Sequence, residues 1–258
     1  MIIRFTVLCF VLVMTGRTVN AQEVQNTYVF TGALFPFILE QNNEGAPKGL
    51  SVDILKRISE ITGDHIEVKM YPWARALQMA KAGVTHGVIG PYKSEEREAY
   101  LNYSSTHFYE DRMVLLQRQQ SSISWKGDLR SLSSYTMLAI NGWAYGPEFS
   151  AALPFLNVEN VSTAEQALNM LCKERADLVA LNERNALYEI QKENVWNELS
   201  IMEPAFRTVV GYFAFSKERE DLAFENRFNT ALNWLATSGE IKQLSANYGL
   251  SYIGPTVE

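Results

Sequence analysis

Residues 83–97 read GVTHGVIGPYKSEER. Gly83 stops the helical pattern that runs from Trp73 to Ala82, Gly87-Val88-Ile89-Gly90 is a short apolar strand, and Ser94 opens a new helical turn holding Glu95, Glu96 and Arg97. A strand that passes through glycine straight into a capped helix belongs to an α/β fold, where ligands sit beyond the carboxyl ends of the strands. Arg97 is the odd residue of the stretch. A cation in the first turn opposes the helix dipole, so it needs a partner outside its own helix. Its guanidinium is a planar fork that matches both oxygens of one carboxylate. The plain alternative is a surface arginine paired with Glu96 or Glu98.

Outward from this stretch the same alternation continues. Tyr28 to Thr31 is a β-type run, Leu50 to Ile61 carries apolar residues at helical spacing up to Gly63, and Ile66 to Met70 alternates with period two. A second series follows: strands at Met113 to Leu116, Tyr135 to Ile140, Asn157 to Val161 and Asp177 to Leu181. Its helices are Glu148 to Leu153, Ala164 to Cys172 behind the cap Ser162 or Thr163, and Glu183 to Lys192. Val209 to Phe215 is a late strand, and Glu218 to Ala236 and Glu240 to Tyr248 are closing helices. Two α/β series predict two lobes of mostly parallel sheet flanked by helices, with ligand space between them.

The chain has 258 residues and opens MIIR, followed by an apolar run from Phe5 to Met14 and by Val19-Asn20-Ala21. A charged start, a short apolar core and small residues before a cut site predict a signal peptide over residues 1–21. The run is about ten residues where a spanning helix needs roughly 20. Removing Arg4 and Arg17 with it takes the formal charge from −6 to −8, a balance that argues against nucleic acid as a partner. Cys172 is the one cysteine beyond the leader, so no internal disulfide is expected, and it reads as a small core residue. His65, His86 and His107 lie about twenty residues apart, without the spacing of metal ligands, so no metal is expected. No Gly-rich phosphate loop and no Gly-x-Ser-x-Gly elbow is present, and no cofactor is expected.

The strand ends carry residues suited to a small molecule: Thr31, Leu34 and Phe35-Pro36-Phe37; Gly90 and Tyr92; Gly142 with Trp143, Ala144 and Tyr145; Asn182 with Glu183. Glycines allow close backbone approach, aromatic faces give apolar contact and a few charges fix orientation. Trp73 and Arg75, in Tyr71-Pro72-Trp73-Ala74-Arg75, open a helix two residues apart and so do not share one face. Trp73 reads equally as core or as pocket wall, and Arg75 more as an ion-paired surface residue than as a ligand contact.

Gly83 to Gly90, Ser94-Glu95-Glu96-Arg97, Tyr103-Ser104 and Tyr109 together resemble the signature of the periplasmic solute-binding proteins of polar amino acid ABC importers. Phe35-Pro36-Phe37, Gly49 to Leu55, Asp128 to Gly142, Arg175 to Ala180 and Ser238-Gly239-Glu240-Ile241 extend the likeness over nearly the whole chain. Pro72-Trp73-Ala74-Arg75-Ala76 is similar to one branch of that family. The resemblance implies a two-lobe periplasmic binding protein fold of type II with two crossover segments. It places lobe one at residues 22–109 and 212–258 and lobe two at residues 110–211.

It also implies that Arg97 holds a ligand carboxylate, with Gly90, Tyr92, Thr31, Leu34, Trp143 and Ala144 around it. Two positions depart from the family's pattern. Its second-lobe aspartate, which pairs with a ligand ammonium, corresponds to Asn182, and its small hydroxyl residue beside the arginine corresponds to Tyr92. Losing the aspartate removes a charge-assisted bond of roughly 1.5–3 kcal/mol, unless Glu183 supplies the anion. The expectation is an exported, periplasmic, monomeric, non-enzymatic solute-binding protein that serves an ABC permease. A prephenate dehydratase-like enzyme using Glu183, and a solute sensor acting in trans, are the alternatives.

Overall fold

The computed structural model describes residues 26–195 and 197–254. The signal peptide expected over residues 1–21 lies outside them. The chain opens with β1 (Thr27–Gly32), a small hairpin of β2 (Glu40–Gln41) and β3 (Pro47–Lys48), α1 (Leu50–Thr62), β4 (His65–Met70) and α2 (Trp73–Lys81). It continues through β5 (Gly87–Tyr92), the one-turn α3 (Glu95–Glu98), β6 (Leu101–Tyr103) and the long β7 (Tyr109–Arg118). A second run holds β8 (Thr136–Ile140), α4 (Pro147–Ala152), β9 (Asn157–Val161), α5 (Ala164–Cys172), β10 (Leu178–Asn182) and α6 (Glu183–Glu193). The last elements are β11 (Leu199–Ser216), α7 (Leu222–Thr237) and α8 (Glu240–Ala246).

Nine strands form one continuous sheet in the order β4-β1-β5-β11-β7-β10-β8-β9, with β6 on the end of β11. The flanks are parallel, β1 with β4 and β5, and β8 with β9 and β10. The centre is antiparallel, because β11 runs back along both β5 and β7. The two series of the sequence therefore share a sheet through β7 and β11, and each half keeps the mostly parallel pairing flanked by helices that was expected of a lobe. β11 is also far longer than the strand expected at Val209 to Phe215. Its Leu199 to Met202 pairs with Arg118 to Leu115, the register shifts, and Arg207 to Gly211 pairs with Met113 to Tyr109. The irregular stretch around Pro204 hides this continuity from a reading of sequence periodicity.

Local chemistry sets the helix ends. Leu50, Ile54, Leu55 and Ile58 bury one face of α1, and Gly63 closes it in the left-handed conformation at φ 77°. Thr163 accepts a hydrogen bond from the Gln166 amide and caps α5. The penultimate long helix begins at Leu222 rather than Glu218, because Asp221 Oδ1 accepts from the Phe224 amide at 3.0 Å and Lys217–Arg219 is a separate 3₁₀ turn. Phe30, Phe213, Phe215, Phe224 and Phe228 pack edge and face between β1, β11 and α7. This aromatic core anchors β1, β5 and the end of β11 as a platform, and the loops that leave its carboxyl edge carry the site. No helix among the described residues is long and apolar enough to cross a membrane.

Candidate functional site

Arg97 lies at the third position of α3, where the Ser94 side chain accepts from its amide at 3.4 Å. The one-turn helix thus delivers an arginine that is only 5 % exposed. Nη1 donates to the Tyr92 carbonyl at 2.8 Å, and the Tyr103 hydroxyl donates to the same oxygen at 3.0 Å. Nη2 reaches across the molecule to the Gly142 carbonyl at 2.7 Å, in the turn after β8. Trp73 Nε1 donates to that carbonyl as well, at 3.0 Å, and its ring lies 5.5 Å from the guanidinium centre. Phe35 stands between the two tryptophans, 5.9 Å from Trp73 and 5.7 Å from Trp143. One neutral carbonyl therefore receives the donors of both Arg97 and Trp73. A carboxylate in its place makes stronger, charge-assisted bonds.

A second polar centre is fully buried beside the first. Asp111, near the start of β7, accepts from Arg184 Nε at 3.0 Å through Oδ1 and from Arg184 Nη2 at 2.7 Å through Oδ2. The Tyr92 hydroxyl donates to Oδ2 at 2.6 Å and accepts from Asn182 Nδ2 at 3.1 Å. Asn182 in turn caps α6, its Oδ1 accepting from the Asn185 amide at 2.8 Å. Burial, and then the charge of Asp111, raise the Tyr92 hydroxyl well above its ordinary range, so it stays protonated as a donor. Burial works against the charge of Arg184, but Asp111 outweighs it and holds the guanidinium above its ordinary range. Tyr109 completes this buried centre by donating to the Gly90 carbonyl at 2.7 Å. Gly90 is at φ 84°, and the Tyr109 ring covers Gly211 so closely that a Cβ there lies 1.9 Å from a ring carbon.

Between α3 and the turn after β8 is a cavity of about 870 Å³, lined among others by Lys93, Arg97, Tyr100, Trp143, Tyr145 and Phe149. Its walls offer aromatic faces, the cations Lys93 and Arg97, and the acids Glu95, Glu96 and Glu98, groups that can orient a small polar molecule. The sequence matches the bacterial extracellular solute-binding proteins, family 3, over residues 27–251. The chain belongs to this family.

The fold of this family 3 solute-binding protein is the periplasmic binding protein fold. It is similar to a histidine kinase sensor domain with similarity to periplasmic binding proteins, with TM-score 0.78 and 18 % identity over 89 % of this chain and 99 % of that one. It also resembles the substrate-binding protein of an amino acid ABC transporter, with TM-score 0.70 and 21 % identity over 86 % and 99 %. A third likeness is to the arginine-, lysine-, histidine-binding protein ArtJ from the thermophilic bacterium Geobacillus stearothermophilus, with TM-score 0.71 and 20 % identity over 89 % and 97 %. Among proteins with curated descriptions, none matches the sequence.

The solute-binding protein brings Arg97, Trp73, Trp143 and Ala144 together around Gly142. Tyr92, Gly90 and Asn182 lie in the buried centre, where their polar groups are already partnered. Thr31 is buried and its hydroxyl is engaged by the Ala76 and Gly87 carbonyls, both at 3.3 Å. Tyr145 lines the cavity while its hydroxyl accepts from the Ile140 amide at 2.6 Å. Leu34 is exposed, and Arg75 lies outside the cluster, over the Tyr71 ring at 4.9 Å. Glu183 turns outward to Arg112, with contacts of 2.9 and 3.0 Å. The charges of the buried centre are Asp111 and Arg184, neither of which stands out by residue type or spacing in the sequence.

Elsewhere, Glu165, Glu189 and Glu193 bring carboxylates together. Lys192 Nζ already sits 2.7 Å from Glu165 and 3.3 Å from Glu189, so an ammonium supplies the counter-charge.

Proposed function

We propose that the protein is exported and captures a small carboxylate-bearing solute, an amino acid or related organic acid, between two lobes for ABC-type uptake. The lobes are residues 22–109 with 212–258, and residues 110–211, joined at β7 and β11. The leader over residues 1–21 is cleaved and the mature monomer works in the periplasm. The single observation that carries this reading is the position of Arg97, buried at the edge of an 870 Å³ cavity and bonded across the molecule to the Gly142 carbonyl. Opening frees Nη2, the incoming carboxylate takes the place of the carbonyl, and closure then brings Trp143 and Ala144 onto the solute.

Thermal-shift screening against amino acids, organic acids and aromatic carboxylates tests it, because a ligand of the native state raises Tm by mass action. Arg97→Ala is expected to weaken the best hit about tenfold to a hundredfold, from the roughly 1.5–3 kcal/mol of a charge-assisted hydrogen bond. No hit among carboxylates, or an unchanged affinity in the variant, refutes the reading. The fold likeness to a kinase sensor domain supports a second use of the same capture, reporting a solute in trans. Loss of solute uptake in a deletion strain separates import from sensing. An enzymatic use of Glu183 as general acid is disfavoured by its pairing with Arg112, and no turnover of prephenate is expected.

A further inference from the structure

The Arg184 side chain ends in surroundings that form a complete receptor for a guanidinium. Asp111 takes its Nε and Nη2 side by side, and the Pro36 carbonyl takes Nη1 at 2.6 Å from the opposite half of the sheet. The guanidinium carbon stands 5.4 Å from the centre of the Phe35 ring and 5.5 Å from that of Tyr109. One carboxylate, one carbonyl and two aromatic faces are the groups that recognise a planar cation. Asp111 is 4 % and Arg184 9 % exposed, so neither charge leans on solvent. The Tyr92 hydroxyl, bonded to Oδ2, fixes the carboxylate in the orientation the fork requires.

We propose that Arg184 is a tethered occupant of a buried cation site between β7, α6 and the loop after β1, a site whose chemistry takes guanidinium and alkylguanidinium groups. By filling this site itself, the protein closes it to cationic solutes. Both oxygens of Asp111 are already engaged, Oδ1 by Arg184 Nε and Oδ2 by Arg184 Nη2 and the Tyr92 hydroxyl, so a ligand's guanidinium cannot take the carboxylate side by side while Arg184 is in place. Arg184 is thus a specificity-determining residue, selecting by occupation against the positively charged end of a solute. The exclusion of cationic solutes rests on the solute-binding reading, whereas the site itself does not.

Arg184→Ala empties the site and leaves Asp111 facing a gap of guanidinium shape. Methylguanidinium chloride, titrated in the low millimolar range against tetramethylammonium chloride at equal ionic strength, is expected to raise the Tm of this variant saturably, by about 4 °C. Wild type, and the double variant with Asp111→Asn, are expected not to respond. If Arg184→Ala does not fold alone, refolding from urea with and without methylguanidinium gives the same test, with recovery expected only in its presence. A variant indifferent to methylguanidinium in both formats overturns the proposal, as does a wild type that responds as strongly. Because the readout involves no carboxylate and leaves Arg97 intact, its failure is distinct from failure of the carboxylate screen.

Discussion

Asp111 and Arg184 are a buried ion pair whose value lies in being complete. Removing one partner strands the other charge out of water, which costs about 3–5 kcal/mol. Asp111→Asn is therefore expected to lose that much stability in urea unfolding. Adding Arg184→Met to it is expected to cost less than the sum of the two single changes, a coupling that a double-mutant cycle reads directly. Tyr92→Phe removes the donor to Asp111 Oδ2 and leaves Asn182 Nδ2 without its acceptor, at an expected cost of about 1–3 kcal/mol. Arg97 is different, because its partners are backbone carbonyls that a solute can replace, so its truncation is expected to show in binding more than in stability.

Among the elements, β11 and β7 determine how the buried centre is built. Gly211 pairs with Tyr109, and only a residue without Cβ lets that ring lie flat enough to reach the Gly90 carbonyl. Gly211→Ala is expected to destabilise by about 1–3 kcal/mol through overpacking and to alter the near-UV circular dichroism of the tyrosines. Helix α7 carries a pH signature. Glu225 is buried, its Oε1 has no partner, and burial raises its pKa above the ordinary 4.5. As pH rises from that value the unfolded chain releases the proton first, the folded state binds more protons, and stability falls. Glu225→Gln is expected to raise stability by about 1 kcal/mol at neutral pH, a gain that vanishes below the unfolded pKa. Unfolding curves at pH 4 and pH 7.5 check both sides.

At the scale of the whole molecule, the two halves of the sheet are joined through β7 and β11 and are bridged a second time by bonds to neutral carbonyls. Arg97 and Trp73 donate to Gly142, and Arg184 donates to Pro36. The Trp73 bond contributes about 0.5–1.5 kcal/mol net and each guanidinium bond about 1.5–3 kcal/mol, a scale on which a solute's charged group competes. Arg97→Ala with Trp73→Phe removes both bonds to Gly142 and is expected to enlarge the radius of gyration in small-angle scattering, with far-ultraviolet circular dichroism unchanged. Scattering identical to wild type would show that closure does not depend on that carbonyl.

The sequence by itself determined what is local. Gly83, the apolar run to Gly90, the cap at Ser94 and the place of Arg97 in its turn follow from residues within one helix pitch or strand length of each other, and so do the element types on both sides. Tertiary structure alone decided what those residues meet. Glu183 and Arg184 are adjacent, yet one position along a helix is a turn of about 100°, so Glu183 faces Arg112 at the surface while Arg184 faces Asp111 inside. That pairing spans 73 residues, and Arg184 reaches Pro36 across 148. Burial at such separations is created by packing and leaves no mark in spacing or periodicity, which is why nothing in the sequence singles out Arg184 as the arginine at the centre of the molecule.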